Sequence, residues 1–258
     1  MNFMLFGILT VIGMLAGTFC LMELGRRIAV RRLARDPEGA KSGAGAVEAA
    51  VFGLMGLLIA FTFSGAAARF DTRRAHIVEE ANCIGTAWLR LDLLPATAQP
   101  PLREKLRQYT DTRIAVFAKL PDFAAAKSEL DRAATLQSEI WTQAVAACRD
   151  SGSSSASMLL LPALNQMFDM ATTRTMGAKN HPPPIIYGML ALLVLAGALL
   201  AGYGMGAGRV RNWFHAFAFV LVISLAIYVI LDFEFPRVGL IRIRGFDQVF
   251  LDLRQSMN

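Results

Sequence analysis

The sequence has few of the residues on which catalytic and metal sites depend. Its 258 residues include three cysteines and three histidines. No two cysteines have C-x-x-C spacing, and the histidines lie far apart in the chain. P-loop, H-E-x-x-H and G-x-S-x-G motifs are also missing. We therefore predict that the protein is not an enzyme and has no metal site and no cofactor. Pairing of Cys83 with Cys148 stays open, because a disulfide would require an oxidising compartment.

Acidic and basic residues are absent from four long runs. These runs are residues 1–22, 49–68, about 185–208 and about 213–231. At a rise of about 1.5 Å per residue, each is long enough to cross a hydrocarbon core of about 30 Å as a helix. No basic segment precedes the first run, which favours a retained span over a signal peptide.

The runs predict an all-α protein with four transmembrane helices and an extramembrane helical bundle inserted between the second and third spans. Residues 1–68 would hold the first two spans with an Arg-rich connecting loop, and residues 69–183 the helical domain. Residues 184–231 would form a transmembrane hairpin and residues 232–258 a C-terminal extramembrane tail. The central region shows apolar residues at helical spacing and no alternating strand pattern.

Local signals divide the central region into helices. The helix of the second span would stop at Pro95, because proline removes a backbone donor and clashes with the preceding turn. Asp122 is suited to capping the helix that follows. The serine-rich segment 151–155 is typical of a flexible linker.

The net charge is +6, which in a membrane protein indicates basic loops rather than nucleic-acid binding. No basic stripe is interleaved with aromatic residues, so we predict no nucleic-acid partner. Nine basic residues lie near span ends on the side of the central domain, and eight lie on the other side. The positive-inside rule therefore leaves the sidedness of the central domain open.

Small residues recur along the second span. The candidates for helix packing are Gly53, Gly56, Ala60 and Ala68. Such a stripe lets two helices approach closely in lipid, or it places the helix around the axis of an oligomer. In the second case Leu57 and Phe61 would form an apolar constriction that gates by dewetting, and Ser64 would be a polar lining residue.

Charged residues follow the second and fourth spans. Arg69, Arg73 and Arg74 would form rings of positive charge at the mouth of a symmetric pore, or they anchor the helix end to lipid phosphates. After the fourth span, Asp232 and Glu234 could bind a hard cation or pair with nearby arginines.

Several segments resemble the bacterial bestrophin-like membrane proteins. The first three are G-L-L-I-A-F-T-F-S at 56–64, R-F-D-T-R-R at 69–74 and E-A-N-C-I-G-T-A-W-L-R-L-D at 80–92. The tail contributes L-D-F-E at 231–234 and P-R-V-G-L-I-R at 236–242. Length and span spacing are also similar over the whole chain.

The resemblance implies a homo-oligomer, a pentamer by family analogy, with the second span lining a central pore for small inorganic ions. By that analogy Leu57, Phe61 and Ser64 face the pore, and the protein lies in the lipid bilayer of the bacterial inner membrane. The alternative is a non-conducting membrane scaffold or sensor whose helical domain binds a partner or ligand.

Overall fold

The computed structural model describes residues 3–36, 44–206, 213–237 and 239–258, and these are mostly helical. The α-helices are α1 (Phe3–Arg35), α2 (Ala44–Arg90), α3 (Gln99–Ala118), α4 (Phe123–Ser151), α5 (Ser154–Lys179), α6 (Pro184–Met205), α7 (Trp213–Glu234) and α8 (Gln248–Ser256). Two short 3-10 turns occupy Leu91–Leu93 and Arg244–Asp247. The described residues contain no strand, which confirms the all-α class.

Three helical stretches are long and apolar enough to cross a membrane. By length and composition these are Gly45–Leu93, Ser154–Met205 and Trp213–Glu234. They include the predicted second, third and fourth spans. Residues 3–22 of the first predicted span fall within α1, and residues 1–2 lie outside the described residues. The count of four spans stays a prediction.

The chain divides into two compact units. The first, the apolar unit, comprises Met1–Arg69 and His181–Gly239, and the second, the polar unit, comprises Phe70–Asn180 and Leu240–Asn258. Each unit combines segments that are distant in sequence. The four-part domain division that the sequence suggested stays a prediction.

Glycine allows α1 and α6 to touch along their backbones in the apolar unit. A Cβ added at Gly202 would lie 1.8 Å from the carbonyl oxygen of Met22, and one at Gly25 would lie 1.9 Å from that of Leu199. No other residue fits either position without moving a helix. The glycine-rich end of the third predicted span is therefore a packing feature, as small residues commonly are between membrane helices.

A second contact of the apolar unit joins α2, α6 and α7. Its core consists of Met55, Ala66, Leu190, Val194, Ile227 and Ile230. Phe52 of α2 also contacts Phe219 of α7, with ring centroids 6.1 Å apart. One face of α2 is thus held by the two helices of the predicted hairpin.

Helix ends in the polar unit follow the local signals of the sequence. α2 gives way to a 3-10 turn before Pro95. The side chain of Asp122 accepts hydrogen bonds from the backbone N–H groups of Ala124 and Ala125, which confirms the predicted cap.

The prediction of a flexible linker at residues 151–155 is wrong. α4 runs to Ser151, Gly152 adopts a left-handed conformation with φ of 60°, and the side chain of Ser153 accepts from Ala156 to cap α5. A left-handed glycine and a serine cap satisfy the free groups of both helix ends, so two residues are enough to join the helices.

Candidate functional site

One face of α2 is uncovered in the apolar unit. Leu57 is 52% exposed and Phe61 is 68% exposed, and Ser64 is also exposed. The small residues predicted for packing are exposed on this helix as well: Gly53, Gly56, Ala60 and Ala68. A Cβ built at either Gly53 or Gly56 would meet no atom of the described chain within 4 Å.

The opposite face of the same helix is buried. Met55, Thr62 and Ala66 are at most 6% exposed, and the Thr62 hydroxyl donates to the carbonyl oxygen of Leu58 at 2.6 Å. A hydroxyl that donates within its own helix can be buried without a partner elsewhere. The pore-lining and packing candidates therefore share one face, and no described helix of the apolar unit covers the open positions Gly53 and Gly56.

Arg69 lies at the end of the apolar part of α2 and pairs with α7. Its Nε donates to Oε1 of Glu234 at 2.8 Å, and Glu234 is 1% exposed. Nδ1 of His181 lies 3.2 Å from the other oxygen of the same carboxylate. Of the two roles considered for Glu234, the structure places it in pairing with an arginine.

Arg73 and Arg74 belong to the polar unit and have partners there. Arg73 is 6% exposed and donates to the carbonyl oxygens of Gly177 at 3.3 Å and Asn180 at 2.8 Å. A guanidinium in this position donates hydrogen bonds to carbonyl oxygens at the C-terminal end of α5 and interacts favourably with the negative end of the helix dipole. Arg74 pairs with Asp71 at 2.9 Å. A role of the three arginines as pore-mouth charges stays a prediction.

A buried ionic network holds α2, α3 and α5 together in the polar unit. Glu80 is completely buried; one of its oxygens accepts from Nε of Arg113 and the other accepts from Nη1 of Arg174 at 2.9 Å. Arg174 also lies 3.4 Å from Asp247. Burial lowers the pKa of Arg113, but the charge and hydrogen bond of Glu80 outweigh it and raise that pKa above its ordinary value.

Sequence reasoning did not find this network. Glu80 is separated from Arg113 by 33 residues and from Arg174 by 94. No local pattern signals a pairing at such distances. The only hint is an acidic residue at the inward register of α2, where the neighbouring Ile77 and Ile84 are buried.

The remaining polar candidates do not assemble into a reaction centre in the described residues. Cys83 and Cys148 are buried free thiols. Burial, together with the charges of Glu79 and Glu80, raises the pKa of Cys83, which lowers the reactivity of a thiol. The part of the chain that is described holds no group of three or more His, Cys, Asp or Glu residues arranged for a metal ion.

The fold and the uncovered helix face define a helical membrane protein with a polar helical unit. Comparison with known families is specific: the model of the bestrophin-like domain matches residues 12–245. The chain belongs to the bestrophin-like family, which confirms the resemblance seen in the sequence.

Comparison with solved structures finds the same fold. A crystal structure of a mutant bacterial bestrophin homolog from Klebsiella pneumoniae superposes with a TM-score of 0.65 and 13% sequence identity. The match covers 92% of this chain and 98% of that chain. No curated protein matches the sequence.

Proposed function

We propose that the protein is an oligomeric, ion-channel-like integral membrane protein in which α2 lines a central pore. The observation that carries the proposal is the uncovered face of α2, with Leu57 and Phe61 more than half exposed. Membership in the bestrophin-like family supports a channel-like role. By family analogy the assembly is a pentamer in the bacterial inner membrane that passes small inorganic ions.

The small residues on the exposed face of α2 would allow the helices to surround a narrow pore. Glycine and alanine let helices approach closely in lipid, and Gly53 and Gly56 have open space on this side. Leu57 and Phe61 would then form apolar rings that exclude water in the closed state. Ser64 would supply a hydroxyl to the ion path. The rings thus act as the gate, and the small residues set its width.

Conductance of the purified protein in planar bilayers tests the proposal. Truncating Leu57 to Ala is expected to widen the constriction and raise the conductance. The matched control is Leu192→Ala, because Leu192 is 67% exposed on α6 and lies outside the proposed lining. A wild-type protein that does not conduct, or equal effects of the two substitutions, would contradict the assignment.

Chemical modification gives an independent test of the lining. Ser64→Cys in a Cys20→Ser background should react with a charged, membrane-impermeant thiol reagent and change the conductance. Leu192→Cys should not react, since its environment is lipid. Particle images would show whether copies of α2 meet on a symmetry axis. A filled axis without conductance would instead favour the non-conducting scaffold or sensor.

A further inference from the structure

An apolar groove lies between α1 and α7 in the apolar unit. Its volume is about 490 Å³, and its walls include Leu15 and Phe19 of α1 and Phe217 and Leu221 of α7. Phe217 is 59% exposed and Leu221 is 64% exposed. The groove therefore presents aromatic and aliphatic side chains to whatever surrounds this pair of helices.

The groove meets a charged pocket at Phe19. That residue also lines a smaller pocket with Glu23 and Arg26 of α1 and Ala216 of α7. From Leu15 to Arg26, the residues of α1 that line the groove and the pocket span about 16 Å of helix at about 1.5 Å per residue. Along this length its chemistry changes from wholly apolar to charged.

The charged end carries an excess of positive charge. Arg26 donates twice to Glu23 at 3.2 Å, and Arg27 donates to the same carboxylate at 2.9 Å. Two guanidinium groups thus share one carboxylate. Each has five N–H donors, so the described contacts leave several of them available. Arg31 and Arg32 are exposed on the following turn.

An aromatic ring marks the same end of the groove. Trp213, the first residue of α7, is 45% exposed and stacks on Phe19 with ring centroids 6.2 Å apart. Tryptophan prefers the boundary between hydrocarbon and headgroups. By this preference we expect the charged pocket and Trp213 at the depth of a lipid phosphate, and Leu15 and Leu221 at the depth of an acyl chain.

We infer that this groove is a binding site for an anionic diacyl phospholipid. One acyl chain lies between α1 and α7 against Phe19 and Phe217. The phosphate accepts hydrogen bonds from Arg26 and Arg27, whose planar donors suit phosphate oxygens. Charge complementarity selects an anionic over a zwitterionic headgroup, as basic pockets between membrane helices do. The inference requires that the chain lies in a bilayer, and it does not depend on conduction.

Brominated lipids can test the site because Trp213 lies at its edge. The full chain, with Trp88→Phe and Trp141→Phe so that Trp213 alone reports, is reconstituted in phosphatidylcholine vesicles containing increasing brominated phosphatidylglycerol. Phosphatidylglycerol vesicles containing increasing brominated phosphatidylcholine give the binding of phosphatidylcholine. Phosphatidylglycerol is expected to bind at least about fivefold more tightly, the factor that one basic side chain contributes near a membrane surface. Equal quenching by the two lipids would overturn the inference.

Two paired variants separate the site from the general surface charge. Arg26→Gln with Arg27→Gln should abolish the preference for phosphatidylglycerol, whereas Arg31→Gln with Arg32→Gln removes the same charge and should retain most of it. Equal losses in the two pairs would show a surface field and no site.

A third variant leaves the charges intact and fills the groove. Ala218→Leu adds bulk to a lining residue of the groove and should also abolish the preference. A preference for phosphatidylglycerol that persists in Ala218→Leu would contradict acyl-chain binding. Helical circular dichroism establishes that each variant is folded. Protection of Trp213 from both brominated lipids would mean that protein, such as a second copy, covers the groove, and it would overturn the inference.

Discussion

Neutralising Glu80 is expected to destabilise the polar unit strongly. In Glu80→Gln the side chain keeps its size, so the change removes a charge and creates no cavity. Arg113 is 2% exposed, and Glu80 is its only carboxylate partner among the described contacts. Arg174 retains Asp247 at 3.4 Å. The substitution therefore leaves one buried cation without a counter-charge.

The expected magnitude follows from that stranded cation. Breaking a buried ion pair from one side costs about 3–5 kcal/mol, because the remaining charge has lost its compensation but stays out of water. For a chain of this size, each kcal/mol shifts the midpoint of thermal unfolding by about 2–4 °C. A decrease of roughly 10 °C is expected in Glu80→Gln.

Thermal unfolding of the full chain in detergent, followed by circular dichroism, measures this decrease. Glu104→Gln is the matched control, because Glu104 is exposed and pairs with Arg107 at 3.4 Å. Its midpoint should stay close to that of the wild type. Adding Arg113→Met to Glu80→Gln removes the stranded cation and should recover part of the loss. A midpoint for Glu80→Gln that matches the Glu104→Gln control would refute the reasoning.

Three further predictions concern the packing and titration of single residues. Burial raises the pKa of Tyr109 to about 12. The folded state therefore keeps the full contribution of this phenol to its stability below about pH 10. As the pH rises through 12, the free energy of unfolding decreases by about 3 kcal/mol. Tyr109→Phe should therefore flatten the decline of the unfolding midpoint between pH 9 and 12. Gly202→Ala should disrupt the α1–α6 contact and lower the yield of folded protein, whereas Gly188→Ala, where a Cβ meets nothing within 4 Å, should not. Asp122→Ala should cost about 1 kcal/mol through loss of the cap, as measured by the unfolding midpoint.

Local features of the chain were predictable because their signals are local. The cap at Asp122 and the break before Pro95 each depend on a residue within a few positions of the helix end. The sequence also showed that the small residues of α2 share one face with Leu57 and Phe61, since a period of 3.6 residues separates the faces of a helix; whether this face packs or lines a pore stays a prediction. The uncharged runs located three stretches of membrane-spanning length.

Long-range pairings were not predictable for a physical reason. Arg69 meets Glu234 across 165 residues, and nothing in either neighbourhood identifies the partner. The prediction of a flexible linker at residues 151–155 was wrong for a different reason, because serine favours both disordered linkers and helix caps. Only the left-handed conformation at Gly152 decides between the two.

Glycines in the apolar runs have two distinct roles that composition alone does not separate. Gly25 and Gly202 are required by contacts within the chain, because a Cβ at either would overlap a carbonyl oxygen. Gly53 and Gly56 have no such contact in the described residues, and a glycine in a helix interior costs about 1 kcal/mol relative to alanine. That cost is offset only where the missing side chain allows a close approach. We propose that the approaching surface at Gly53 and Gly56 is a second copy around a shared axis, as the proposed pore requires. Gly56→Leu should accordingly leave helical content unchanged while disrupting the oligomer measured by light scattering, and an intact oligomer in that variant would argue against α2 at the axis.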